Sequence, residues 1–228
     1  MKLHKKVAHS VGVLGRYAPA KLVHSLYRTA DIAETFRLAE AAGFNTRIKP
    51  VPQREVLATG LRLASSARSP LYLEFGVAKG NTMRRSSKQL TTPGARLVGF
   101  DSFEGLPERC SMVIDKGAFA QGGNEPVIDD DRITFVKGLF DETLPTYEAP
   151  DHDLMIVNVD CDIYSSTATV LEWCDTRLAV GDLVYFDEYN YPAHEGRAFH
   201  EFIERTGFRF ELIAASGAFS ATLFRRTA

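Results

Sequence analysis

Residues 71–82 read Leu-Tyr-Leu-Glu-Phe-Gly-Val-Ala-Lys-Gly-Asn-Thr. An apolar run carries a carboxylate, Glu74, then breaks into a turn with glycines at 76 and 80. A helix is expected from about residue 80, with Thr82 in its first turn. A short apolar run, glycine punctuation and a helix start describe a buried strand feeding a helix. Such a turn commonly receives a pyrophosphate, because free amides at a helix start favour anions. The dinucleotide fingerprint is G-x-G-x-x-G, and Glu74 stands where its first glycine would be. A carboxylate there repels a pyrophosphate and attracts an ammonium group. Gly76 is expected to let a ligand lie against the backbone, and Gly80 closes the turn. Thr82 is expected to offer its hydroxyl, with the first helical amides, to a carboxylate on the same ligand.

Residues 97–101, Leu-Val-Gly-Phe-Asp, read as a second buried strand ending in Asp101. In nucleotide-binding α/β folds an acid at that position receives ribose hydroxyls. The ligand so described has a cationic amino-acid head and an adenosine tail. S-adenosylmethionine has that shape and is the cofactor expected.

Working outward, the chain alternates. Strands are expected at 71–75, 97–101, 133–136, 154–160 and 182–187, with helices at 80–90, 165–178 and 193–206. Alternation implies a parallel sheet with helices on both faces. The final strands, 208–214 and 219–225, are joined by four residues including Gly217. A parallel crossover needs about a dozen residues, so they form an antiparallel hairpin. Two helices, 30–42 and 52–66, precede the sheet. Residues 109–131 are glycine-rich and read as a loop over the site, with Asp129, Asp130 and Asp131 as a solvated turn into the next strand.

Two further strands end in acids: Asp160-Cys161-Asp162 follows 154–159, and Asp187-Glu188 follows 182–186. If these strands are neighbours they lie about 4.8 Å apart, and Asp160, Asp187 and Glu188 converge. Like charges so close need an offset: one stays protonated, or a divalent cation binds. Oxygen donors favour Mg²⁺, with Mn²⁺ or Ca²⁺ open. Asp160 is the first choice for metal ligand and base, and His194 a lesser base candidate. Asp162 is expected to bond the following helix start.

Composition narrows the class. The 228 residues are 45% hydrophobic and 25% charged, with a net charge of −2. That balance gives no bulk attraction to nucleic acid. No apolar stretch of about 18 residues occurs, so no transmembrane segment is expected. Three cysteines without a C-x-x-C pair point to a reduced, cytoplasmic setting without a zinc site. Residues 1–30 hold six basic residues and no acid. They read as a solvated segment, or as a lid or arm over an anionic acceptor.

Several stretches together resemble the macrocin and mycinamicin type sugar O-methyltransferases, metal-dependent members of the class I methyltransferases. They are Leu-Glu-Phe-Gly-Val-Ala-Lys-Gly-Asn-Thr at 73–82, Gly-Phe-Asp-Ser-Phe-Glu-Gly-Leu-Pro-Glu at 99–108, Phe-Val-Lys-Gly-Leu-Phe-Asp-Glu-Thr-Leu-Pro at 135–145, Val-Asp-Cys-Asp-Ile-Tyr-Ser-Ser-Thr at 159–167 and Val-Gly-Asp-Leu-Val-Tyr-Phe-Asp-Glu-Tyr at 180–189. The resemblance implies a Rossmann-like, mostly parallel seven-stranded sheet with a C-terminal antiparallel hairpin. It covers roughly residues 70–206; with the two helices before the sheet, the chain is expected to divide into a helical extension or lid, 1–68, and a methyltransferase domain, 69–228. The resemblance implies that Glu74, Gly76, Thr82, Asp101, Ser102 and the Gly138 to Phe140 turn bind S-adenosylmethionine. It implies that Asp160, Asp187 and Glu188 hold Mg²⁺, although the family usually has Asp-Gly-Asp and Asp-Asp-Tyr at the two acid runs. Catechol methyltransferases of related fold place a lysine three residues after the first metal acid. Ile163 stands there, which favours an aliphatic sugar hydroxyl as acceptor. A phenolic, phosphorylated or lipid-linked acceptor, and a non-catalytic cofactor-binding relative, stay open as alternatives. A homo-oligomer is compatible with this reading.

Overall fold

A computed structural model describes residues 19–111, 114–191 and 193–228. Most of the basic start, Lys2, Lys5, Lys6 and Arg16, lies outside the described residues. Seven strands form one sheet: β1 (Pro70–Phe75), β2 (Arg96–Asp101), β3 (Ile133–Lys137), β4 (Leu154–Val159), β5 (Leu183–Phe186), β6 (Phe210–Ala215) and β7 (Thr222–Arg226). Their order is β3-β2-β1-β4-β5-β7-β6. The first five pair in parallel. β7 runs antiparallel to both β5 and β6. This is the expected mixed sheet, with the hairpin's second strand inserted beside β5.

Six α-helices are described: α1 (Ala20–Ala41), α2 (Gln53–Ala64), α3 (Asn81–Gln89), α4 (Phe140–Thr143), α5 (Tyr164–Cys174) and α6 (Glu195–Thr206). α1 begins ten residues before the expected helix, directly after Pro19. The ten residues after Pro19 contain no glycine or proline to stop it, while their apolar side chains Leu22 and Leu26 stay exposed. Leu22, Leu26 and Tyr27 recur at helical spacing, so a helix signal is present there although these side chains are not buried. Gly43, at φ +80°, ends the helix as expected.

The sheet has a core on each face. Phe75, Phe100, Phe186, Phe199, Phe224 and Trp173 build one, beneath α5 and α6. Phe199 and Phe224 lie 4.7 Å apart, and Phe75 stacks on Phe100 at 4.7 Å. Each such ring, fully buried, contributes roughly 1.5–3 kcal/mol. On the other face Val56, Leu57, Leu61 and Ala64 of α2 pack on Tyr72, Leu97, Ile156 and Leu223. α2 thus belongs to the same core as the sheet. Gly60 permits its close seat, since a Cβ there would stand 3.1 Å from Leu223.

Candidate active site

β1 has β2 on one side and β4 on the other. The strand order reverses there, and ligands of doubly wound sheets bind outside the carboxyl ends at such a point. A cavity of about 600 Å³ opens at that place. Its wall includes Gly76 to Lys79 after β1, Thr82 in α3, Asp101 and Ser102 after β2, Gly138 to Phe140 after β3, and Asp160 to Asp162 after β4. Phe119, Ala120 and Gln121 of the long loop complete it. The expected loop over the site is therefore in place. Asp130 and Arg132 anchor its far end, joined by two hydrogen bonds of 2.9 and 2.6 Å, while Arg132 also donates to the Ser87 and Leu90 carbonyls of the α3 end.

Asp101 organises the turns around this cavity. Its Oδ2 accepts the Ala78 amide at 2.8 Å, and its Oδ1 accepts the Phe103 amide at 2.7 Å. Ala78 and Phe103 both hold positive φ, 45° and 60°, conformations that L side chains adopt at a cost. Each carboxylate oxygen keeps a lone pair for a further donor. Gly138 donates its amide to the Asp101 carbonyl at 3.1 Å, and Phe140 meets Phe75 edge-on at 5.5 Å.

Gly76 has a reason the sequence did not show. At φ +96°, a Cβ would stand 1.8 Å from the Asp160 carbonyl oxygen. The glycine lets the ends of β1 and β4 touch. Gly80 takes φ +70° as the residue before α3 and receives Pro126 of the loop, 2.8 Å from where a Cβ would be. It lies beside the cavity rather than on its wall.

Glu74 is also placed differently from the expectation. It is wholly buried and is not among the residues lining the cavity. Strand alternation turns it to the side of Tyr72, whose hydroxyl donates to its Oε2 at 2.6 Å. Asn158 of β4 donates in turn to the Tyr72 hydroxyl at 2.8 Å. Burial pushes the Glu74 carboxyl up to about 8, against the pull of the Tyr72 and Asn158 bonds. Among the described residues, Glu74 Oε1 has no hydrogen-bond partner.

The acids of β4 and β5 do meet. Val159 pairs with Phe186, so Asp160 and Asp187 leave neighbouring strands side by side. Both line the first cavity and a second of about 750 Å³, between α2 and α3. Thr82 is the other residue shared by both walls. Burial holds the Asp160 carboxyl well above the usual range, with Asp187 and Glu195 adding repulsion. Asp187 Oδ1 accepts Tyr185 Oη at 2.5 Å and Gln53 Nε2 at 3.1 Å.

Glu188 departs from this pair. It lines neither cavity. Burial and the nearby Asp162 and Asp187 raise its carboxyl to about 7, and Arg28 of α1 pulls the other way. Arg28 bonds Asn190 at 3.2 Å and stacks over the Tyr191 ring at 3.9 Å. Among the described residues no three His, Cys, Asp or Glu side chains gather closely enough to hold an ion. Asp162 makes no cap bond to α5, contrary to expectation. It sits at φ +62° on the cavity wall, its carboxyl raised to about 6 by burial and by Asp187. His194 precedes α6, with burial lowering its pKa, and it too lies off both walls.

Three residues beside the acids were not singled out from the sequence. Tyr185 shares a strand face with Asp187 two residues on, so alternation could have found it. Gln53 carries no local signal. Glu195 opens α6, and an acid in a first helical turn is routine.

Sheet order, inserted hairpin and crevice together define the class I methyltransferase fold. The chain belongs to the macrocin-O-methyltransferase family, whose model matches residues 71–219. It is 36% identical over 84 residues to the mycinamicin III 3''-O-methyltransferase of Micromonospora griseorubida, covering 37% of this chain and 32% of that one. It is 30% identical over 176 residues to a tetracenomycin rhamnosyl 4'-O-methyltransferase of Streptomyces olivaceus, covering 68% of this chain and 66% of that one. The chain thus spans one third to two thirds of these relatives' length. The crystal structure of the calicheamicin methyltransferase CalS11 shares the fold, with TM-score 0.61, 23% identity and coverage of 84% and 90%. No helix among the described residues is long and apolar enough to cross a membrane.

Proposed function

We propose that this chain transfers a methyl group from S-adenosylmethionine to a hydroxyl of a sugar carried by a natural product. The observation that carries the reading is the junction of two cavities at Thr82, Asp160 and Asp187. Donor and acceptor need separate pockets that share one wall at the reacting atoms. The first cavity suits the donor: Asp101 for the ribose hydroxyls, Ser102 and the Gly138 to Phe140 turn for the adenine side, Thr82 and the α3 amides for the carboxylate. Glu74 lies off this wall and is not assigned to the cationic head. The second cavity suits the acceptor, with Leu57, Ala58 and Leu61 as its apolar side and Gln53 among its polar groups. The cover expected from the helical extension falls to α2, which lines this cavity from Gln53 to Arg62. The sugar O-methylation named for the two relatives supports the acceptor class.

Asp160 faces both reactants and is the base we assign. His194 is off both walls and is not required. Mg²⁺ commonly uses one or two protein carboxylates and keeps water or substrate oxygens for the rest. Asp160 and Asp187 suit such a partly protein-held ion, with Glu188 behind them. When bound, the ion would lower the pKa of an acceptor hydroxyl. Alignment of donor and acceptor can remove about 7–11 kcal/mol from a bimolecular barrier.

The test is transfer of labelled methyl to a panel of glycosides, with and without EDTA. Transfer that EDTA stops, that Mg²⁺ restores, and that Asp160→Asn abolishes with S-adenosylhomocysteine binding intact fits the reading. Undiminished turnover in chelator removes the ion, and undiminished turnover in Asp160→Asn removes the base.

A further inference from the structure

Glu195 is a wholly buried carboxylate at the start of α6. Among the described residues no lysine or arginine forms an ion pair with it. The N-cap of α6 is His194, which makes no side-chain cap bond, and Glu195 does not supply one. The two oxygens reach elsewhere. Oε1 accepts the Cys161 amide at 3.3 Å, and Oε2 accepts the Glu188 amide at 3.1 Å. Cys161 directly follows Asp160, and Glu188 directly follows Asp187. One side chain therefore bridges the two loops that carry the acids facing both cavities.

The peptide unit between Asp160 and Cys161 is held from several directions. The Asp160 amide donates to the Phe75 carbonyl at 2.9 Å. The Asp160 carbonyl abuts Gly76. The Cys161 amide is taken by Glu195. On β5 the Asp187 amide donates to the Val159 carbonyl at 3.2 Å, and the next amide again belongs to Glu195. Beyond Cys161 the chain turns at Asp162 with φ +62°, a conformation that persists only where neighbours enforce it.

We propose that Glu195 is a positioning residue for the transfer reaction, fixing the spacing of Asp160 and Asp187 by holding the amides that follow them. The inference deepens the transfer reading above and rests on it. A side chain that only stabilises the fold would lower melting temperature without separating kcat from KM. One that aims two acids lowers kcat and leaves the donor site alone.

The variants are Glu195→Gln, which turns an NH₂ toward one of the two amides, and Glu195→Asp, whose shorter carboxylate reaches only one. Supporting groups around a metal or reacting centre typically account for 10–100-fold in affinity or activity. Expected for Glu195→Gln are kcat about 10–100-fold lower, Mg²⁺ affinity by calorimetry lower by a similar factor, and S-adenosylhomocysteine affinity within about twofold of the parent. Hydrogen exchange should quicken at the Cys161 and Glu188 amides. A folded variant with unchanged kcat and slow exchange at both amides overturns the inference, as does an equal loss of donor affinity. If Glu195→Gln does not fold, Glu195→Asp is judged by the same criteria. If the parent itself transfers no methyl group, the transfer reading fails, and hydrogen exchange still reports whether Glu195 holds the two loops.

Discussion

Gly76→Ala is the most direct probe of how this fold brings its chemistry together. The new Cβ would lie 1.8 Å from the Asp160 carbonyl oxygen, where real Cβ atoms keep at least 3.0 Å, so that carbonyl must retreat by about 1.2 Å. The residue also holds φ +96°. A left-handed conformation costs an L-residue roughly 1–2 kcal/mol, and overpacking in a filled region costs about 1–3 kcal/mol more. The ligand-free protein should therefore lose about 2–5 kcal/mol of stability, roughly 4–20 °C in melting temperature for a chain of this size. A misplacement of about 1 Å at a reacting group can cost about 100-fold in rate, so kcat should fall by that order. Urea unfolding without ligand and methyl-transfer kinetics measure these two quantities, and S-adenosylhomocysteine calorimetry adds the affinity. The alternative role, room for a ligand, makes a different forecast: unchanged ligand-free stability and a loss of affinity alone. That result would refute the backbone-contact argument.

Glu74→Gln tests the buried carboxyl. Burial raises it to about 8 from an ordinary 4.5, so between those values the folded state binds the proton and the unfolded state does not. Stability then falls as pH rises through that window. Glutamine removes the titration, so the urea midpoint of the variant should gain on the parent between pH 5 and pH 8, and equal pH slopes would remove the argument. Asp101→Asn keeps one acceptor and opposes one amide donor with another. Hydrogen bonds to a charged group contribute about 1.5–3 kcal/mol, so S-adenosylhomocysteine affinity should drop roughly 10–100-fold; calorimetry showing parental affinity would reject the ribose assignment.

The sheet was legible because its signals are local. Apolar runs such as Leu154–Val159 and Leu183–Phe186, and the short link between the last strands, four residues as read and six in the structure, fix strand type and hairpin by periodicity and loop length alone. Strands β4 and β5 pair as expected, which brings Asp160 beside Asp187. Side-chain direction was legible only in part. Alternation alone puts Glu74 with Tyr72, but the strand's end does not say which face holds the ligand. Asp162 was expected to cap a helix and lies on the cavity wall instead, because the Cys161 turn gives it a positive φ.

What the sequence determined by itself is the order of elements along the chain and the acids at strand ends, all set by neighbours a few residues away. What only the tertiary structure decided is which of those acids share a cavity. That depends on contacts across long stretches of chain: Gly76 against the Asp160 carbonyl, Gln53 on Asp187, Glu195 across the Cys161 and Glu188 amides. Such contacts obey steric exclusion and hydrogen-bond geometry in three dimensions, and no local spacing records them.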